Sequence, residues 1–138
     1  MAVKKLLIDT GPLVAYLDRN DAEHERAAAS LDKFKGILYT TAGVITEAMH
    51  LLKDALHGPR RLAEFVQAAG VQIFECTQPQ DLLAAAGLIE KYADTPMGFA
   101  DATLVLLSDE VGATKILTLD LRGFKTFRTR KGKLLEIE

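Results

Sequence analysis

Several absences narrow the possibilities before any motif is considered. The chain has one cysteine, Cys76, so no disulfide can form within it and the fold must rest on its own core. That suits a reducing, cytoplasmic setting. No apolar run approaches the roughly 18 residues of a membrane span, so no membrane partner is expected. The apolar run at 6–8, after Lys4 and Lys5, is too short for a secretory leader, and none is expected. Zinc is not expected either, because Cys76 and the histidines His24, His50 and His57 show no ligand spacing; all three histidines are expected at the surface. Nor is there a large charge of one sign. Seventeen Lys and Arg against nineteen Asp and Glu leave −2, which does not advertise a polyanion binder. What remains is a 138-residue chain, 49% hydrophobic, that can bury a real core as one domain, 1–138.

Along the chain, short apolar runs alternate with helical patterns. Residues 6–8 read as a strand that ends at Asp9-Thr10-Gly11-Pro12, where Pro12 is preset for a first helical turn. A short helix follows over 13–17, and a second, capped by Asn20 or Asp21, reaches about residue 34. Gly36 breaks it before a strand at 37–40. From 41 to about 56 the spacing predicts the clearest amphipathic helix, with Val44, Ile45, Ala48, Met49, Leu51, Leu52, Ala55 and Leu56 on one face and Gly58-Pro59 ending it. Then come a helix at 60–69, a strand at 71–74, a helix at 80–92, a very apolar helix at 98–111 and a strand at 116–119. Residues 126–137 suggest a short edge strand. Strands separated by helices predict a parallel sheet covered on both faces.

The carboxylates carry the chemistry. Two apolar strands end in aspartate, Lys5-Leu6-Leu7-Ile8-Asp9 and Lys115-Ile116-Leu117-Thr118-Leu119-Asp120. Open parallel sheets bind ligands beyond the carboxyl ends of their strands, so the two acids can face one site. Each also fits a structural role, Asp9 as a helix cap and Asp120 as a turn or cap residue before Gly123. Asp101 lies in the first turn of the apolar 98–111 helix with no Lys or Arg within a turn or two; burying it unpaired would cost several kcal/mol. Glu47 borders the apolar face of the 41–56 helix beside Leu51, and is closer to the helix start than Asp54 on the same flank. Asp94 is a further acid, in a loop. Carboxylates converging in one cleft need a divalent cation between them, and oxygen ligands suit Mg²⁺ or Mn²⁺.

With the acids placed, the chain resembles the PIN-domain family, specifically the VapC type of prokaryotic toxin, over essentially its whole length. The motifs that carry the resemblance are Leu7-Ile8-Asp9-Thr10-Gly11, Thr46-Glu47, Ala100-Asp101-Ala102-Thr103-Leu104, and Leu117-Thr118-Leu119-Asp120 followed by Phe124. It implies an α/β fold, a three-layer α/β/α sandwich around a mostly parallel sheet of four or five strands. It also implies an endoribonuclease dependent on Mg²⁺ or Mn²⁺. Asp9, Glu47, Asp101 and Asp120 would be its acidic, metal-holding residues, with Thr10 and Thr118 in support and Asp94 auxiliary. Asp9 and Asp101 would hold the main ion, with Glu47 binding it directly or through water and Asp120 orienting water or holding a second ion. Homodimerisation and a VapB-type antitoxin lying across the site are further implications, with exposed parts of the first helices, including Tyr16 and Leu17, as a docking surface.

Residues 122–133 contain Arg122, Lys125, Arg128, Arg130, Lys131 and Lys133 and no acid; this run directly follows Asp120 and can track an RNA backbone, or be an ordinary solvated tail. Rival classes fit less well. Asp9-Thr10-Gly11 matches the Asp-Thr-Gly of aspartic proteases, but Pro12 and a helical pattern follow it, whereas those enzymes are all-β. A receiver-like phospho-acceptor domain would want an acidic pair near the first strand and a lysine after a late one, and neither is evident. A PIN-fold module that binds RNA or protein without cutting is the remaining alternative.

Overall fold

Leu6, Leu7 and Ile8 are each at most 1% exposed. Successive strand residues point to opposite faces, so three buried in a row require cover on both sides. In the computed structural model, which describes residues 2–138, they belong to β1 (Lys5–Ile8), the centre of a five-stranded sheet. The other strands are β2 (Ile37–Thr41), β3 (Gln72–Phe74), β4 (Lys115–Leu117) and β5 (Glu136–Ile137), in the order β3-β2-β1-β4-β5. Every pair is parallel, with Leu6 opposite Leu38, Leu7 opposite both Tyr39 and Ile116, and Ile8 opposite Leu117. The helices supply the cover and the crossovers. They are α1 (Thr10–Leu17), α2 (His24–Lys33), α3 (Ala42–Leu51), α4 (Gly58–Ala69), α5 (Pro79–Lys91), α6 (Phe99–Val111) and α7 (Leu121–Phe124). The expected α/β/α sandwich is present, and its sheet is wholly parallel.

The strand order fixes where a ligand can bind. From β1 the chain moves outward to β2 and β3, then returns through α5 and α6 to β4 on the other side of β1. The direction of winding reverses between β1 and β4, and crevices open beyond the carboxyl ends of strands at such a switch point. Asp9 immediately follows β1; Thr118 follows β4, with Asp120 two residues on.

Four local expectations change. The 41–56 helix ends early: α3 stops at Leu51, and residues 52–57 wind as turns through Ala55 N–H to Leu52 O and Gly58 N–H to Ala55 O. Its buried stripe is Val44, Ala48 and Leu52, one residue per turn, while Met49, Leu51 and Leu56 are exposed. Gly58-Pro59 therefore opens α4 instead of closing α3. The cap of α2 is Glu23 without a side-chain bond; Asp21 accepts the Glu23 N–H in the preceding turn. His24 is half-buried, its Nδ1 2.8 Å from Ala15 O, so it ties α2 to α1 and is not a surface residue. His50 and His57 are exposed as expected. The edge strand at 126–137 is reduced to β5, preceded by a turn in which Arg128 bridges antiparallel to Leu134.

The reversal before α4 depends on a missing side chain. A Cβ at Gly58 would overlap the carbonyl oxygen of Leu52, which is fully buried. Gly58→Ala should thus lower the unfolding free energy by about 1–3 kcal/mol, the usual range for forced overpacking. Urea denaturation checks it: a midpoint equal to that of the parent protein would show that the turn has room.

Candidate active site

Asp9 takes its place from the change of strand into helix. It caps α1 in extended backbone, φ −86° and ψ 168°, with Oδ1 accepting the Thr10 N–H at 2.8 Å. Its Oδ2 accepts the Thr118 hydroxyl at 2.7 Å, and that hydroxyl oxygen accepts the Asp120 N–H at 2.9 Å. One threonine therefore joins the carboxyl ends of β1 and β4. Asp120 caps α7, its Oδ1 accepting the Gly123 N–H at 3.0 Å. A Cβ at Gly123 would run into that carboxylate and the Phe127 ring, so glycine is required there. Both aspartates fill the capping roles open to them and still stand at the switch point.

Asp101 comes from α6. Its Oδ2 accepts the Gly98 N–H at 2.9 Å, the third-position acid of a capping arrangement, where the helix dipole favours negative charge. The apolar character of α6 reflects burial: Ala100, Ala102, Thr103, Leu104, Val105, Leu107 and Ser108 are all buried, and Asp101 itself is half-buried. Glu47 is exposed on α3. The two helices are locked by hydroxyls. Thr41 caps α3 through the Val44 N–H at 3.3 Å and lies 2.8 Å from Thr103, which donates to Ala100 O at 2.6 Å. Thr40, also fully buried, donates to Ile8 O at 2.9 Å. These threonines position the acid-bearing elements. Sequence reasoning missed that role, because nothing local distinguishes a cross-element hydroxyl from a strand threonine.

The neighbouring acids are felt at Asp9 and Asp101. Burial raises the Asp9 carboxyl from 3.8 to about 6; the bonds from Thr118 and Thr10 oppose this, while the charges of Asp101 and Asp120 add to it. Asp101 is raised as well, first by burial, with the Gly98 N–H opposing and the charges of Asp120 and Glu47 adding. No ion pair offsets these charges: the four salt bridges among the described residues involve other acids. Asp94 is exposed in the loop before α6 and is not among the charges that raise Asp9 or Asp101. Thr10 is buried, and its Oγ1 is the one buried side-chain polar atom without a partner among the described residues.

Such a donor set, all oxygen and all negative, fits a hard divalent cation. Among the described residues no three His, Cys, Asp or Glu side chains are close enough to cage an ion by themselves. Mg²⁺ commonly takes one or two carboxylates and completes its shell with water and phosphate oxygens, so this spacing is compatible with it. The basic run starts within α7 and continues past it; Arg122, Lys125, Arg128, Arg130, Lys131 and Lys133 are all exposed and free of ion pairs among the described residues. Its backbone is pinned by Tyr92 Oη to Arg128 N at 2.9 Å and by Asp109 Oδ2 to Arg130 N at 3.0 Å.

A parallel α/β/α sandwich with acids at its β1/β4 switch point is the architecture of a PIN-like domain. The chain matches no family model. It is 30% identical over 125 residues to Ribonuclease VapC26 of Mycobacterium tuberculosis, across 89% of this chain and 92% of that protein. Its fold matches the crystal structure of VapC20 from the same organism, a sarcin–ricin loop cleaving toxin, with a TM-score of 0.75 and 19% identity over 84% of this chain and 90% of that one. The chain belongs to the VapC family of PIN-domain ribonucleases.

The Asp9 carboxyl gives a pH-dependent prediction for the metal-free protein. Its folded value, about 6, lies above its ordinary 3.8, so the folded state holds the proton more tightly. The resulting stability is present below about pH 4 and is lost as pH rises through about 6. Asp9→Asn, which keeps a capping oxygen, should therefore be more stable than the parent at pH 7 by up to about 3 kcal/mol, with the gain shrinking toward pH 4. Unfolding curves across that range decide it; a gain independent of pH would contradict the assignment.

Proposed function

We propose that the chain is an endoribonuclease dependent on Mg²⁺ or Mn²⁺, the toxin of a type II toxin–antitoxin pair, cutting RNA at the Asp9–Asp101–Asp120 cleft. One observation carries the reading. These acids are gathered at the switch point with burial and mutual repulsion raising two of them and no protein cation beside them. A purely structural cluster would gain from a lysine or arginine. The relationship to a ribonuclease at 30% identity supports the same conclusion.

Asp9 and Asp101 are the residues that would hold the cation, with Glu47 reaching it from α3. A bound divalent ion supplies charge neutralisation at the phosphate and a lowered pKa for a water. Thr118 fixes the rotamer of Asp9 from behind, and Thr10 contributes its N–H to the same carboxylate. Asp120 spends one oxygen on Gly123 N–H and has the other to orient the attacking water, its backbone held in place by the N–H it donates to the Thr118 hydroxyl. Attack by that water in line with the leaving 3′ oxygen leaves a 5′-phosphate and a 3′-hydroxyl. The exposed basic run would follow the RNA backbone away from the acids.

Two assembly proposals follow. A groove of about 440 Å³ between α1, α2 and α4 is lined by Tyr16, Leu17, His24, Asp32, Arg61 and Phe65, and it fits a VapB-type antitoxin segment. Leu17 is buried and forms the floor, not an exposed anchor; half-buried Tyr16, bonded to Asp32 at 2.9 Å, is the wall. Exposed apolar side chains on α3 and α5, Leu51, Leu82 and Leu83, are the surface a homodimer would cover.

Purified protein should cut RNA when Mn²⁺ or Mg²⁺ is added and stop when EDTA removes it. Asp9→Asn and Asp101→Asn, correctly folded, should each lose at least about a hundredfold in rate. Cutting that ignores EDTA, or Asn variants as fast as the parent, would refute the reading. Replacing Arg128, Arg130 and Lys131 by Gln should flatten the log–log salt dependence of RNA binding by about 2, at roughly 0.7 per phosphate contact on a single strand. An unchanged slope would make the run a solvated tail.

A further inference from the structure

Beside the acids is a second cavity, of which the ribonuclease reading uses Glu47 alone. A cleft of about 540 Å³ lies between α3 and α6, lined by Gly43, Thr46, Glu47, His50, Thr77 and Phe99. It shares Glu47 with the acid cluster, and Ala100, which also lines it, adjoins Asp101. The first turn of α6 thus contributes to both places. The cleft exists because its inner wall is built of small residues. A Cβ added at Gly43 would be only 3.4 Å from the Ala100 Cα and 3.6 Å from the Phe99 ring. Phe99 is 37% exposed, a high value for an aromatic side chain at the mouth of a cavity. Polar groups form the rim. The Thr46 hydroxyl already donates to Ala42 O at 2.8 Å, while His50 and Thr77 form no side-chain hydrogen bond among the described residues.

On the ribonuclease reading, we infer that this cleft takes a nucleobase of the RNA strand next to the cut phosphate, stacked against Phe99. A base has two apolar faces and a polar edge. The cleft offers an aromatic ring, a floor of small apolar residues, and an unengaged imidazole and hydroxyl at its rim. Stacking on aromatic side chains is the ordinary way of holding unpaired bases, and it works with any base. The strand also needs it: the acids repel a polyanion, so adhesion must come from either side of them. The basic run after α7 provides one contact and the Phe99 cleft provides another. An apolar protein segment is a poorer occupant, because covering the cleft would bury Glu47 without bringing a charge to pair it. A base leaves that carboxylate facing the phosphate-binding side.

Cleavage kinetics with short single-stranded RNA and Mn²⁺ test the inference. Phe99→Ala should raise the half-saturating RNA concentration about tenfold while leaving the rate at saturation near that of the parent, and Phe99→Trp should restore affinity. An abasic nucleotide is then moved through the positions flanking the cut. At one position it should weaken the parent enzyme by a similar factor and cost the Phe99→Ala protein nothing further, since the two changes remove the same contact. Unaltered affinity in Phe99→Ala, or an abasic penalty that persists in it, would overturn the base cleft. Sedimentation of the same variant provides another check: if Phe99→Ala splits a dimer into monomers, the cleft is covered by a second copy and the inference fails. A parent enzyme that cuts no RNA with either ion would sink the ribonuclease reading and the cleft with it, whereas an unchanged half-saturating RNA concentration in Phe99→Ala sinks the cleft alone.

Discussion

Like charges do not gather in a protein without compensation, and the organisation of this molecule turns on that constraint. Burial and neighbouring carboxylates work together on Asp9 and Asp101, and both groups hold their protons more tightly than free aspartate does. Hydrogen bonds from Thr118, Thr10 and Gly98 relieve part of the cost but add no positive charge. The fold around the acids is thus stable in spite of them, and the core must supply the difference. It does so with a central strand sealed on both faces and an α6 buried along most of its length.

The scaffold that holds the acids is made mainly of threonines and parallel strands. Because β1 and β4 are neighbours running the same way, their carboxyl ends reach the same edge of the sheet, and a single hydroxyl spans them. The Thr41–Thr103 pair does the corresponding work between β2, α3 and α6. These hydroxyls are buried and paired, so they hold geometry at little electrostatic cost, and their directionality fixes rotamers that packing alone would leave free. The acids are therefore anchored at the sheet edge, while Glu47 and Asp120 stay exposed.

Much of this was legible in the sequence, for a physical reason. A parallel strand buried on both faces leaves a continuous apolar run, and a charged residue at its end stands out; that is how Asp9 and Asp120 announce themselves. Asp101 stands out in the same way against an apolar helix. The order of elements followed from the alternation of such runs with helical patterns. What could not be read were features set by tertiary partners. The end of α3 depends on Leu52 and Gly58 meeting, not on periodicity, and so Met49, Leu51 and Leu56 looked like core when they are surface. His24 looked like part of a charged surface, and only the fold reveals the Ala15 carbonyl it reaches. The bonds of Thr118, Thr41 and Thr103 join residues far apart in the chain and leave no local trace. The same is true of the cleft beside Phe99, which is defined by what small side chains leave empty.

The acids, the unpaired charge and the kinship with VapC ribonucleases meet in one physical proposal: a divalent ion would bind where Asp9 is protonated for part of the time. Calorimetric titration of Mn²⁺ at pH 6, repeated in buffers of different ionisation enthalpy, measures that directly by counting protons displaced per ion. With the Asp9 carboxyl near 6, about half a proton should leave as the ion binds, falling toward zero at pH 8. Binding that releases no proton at pH 6, or no binding at all, would contradict the claim that Asp9 lies at the heart of a cation site.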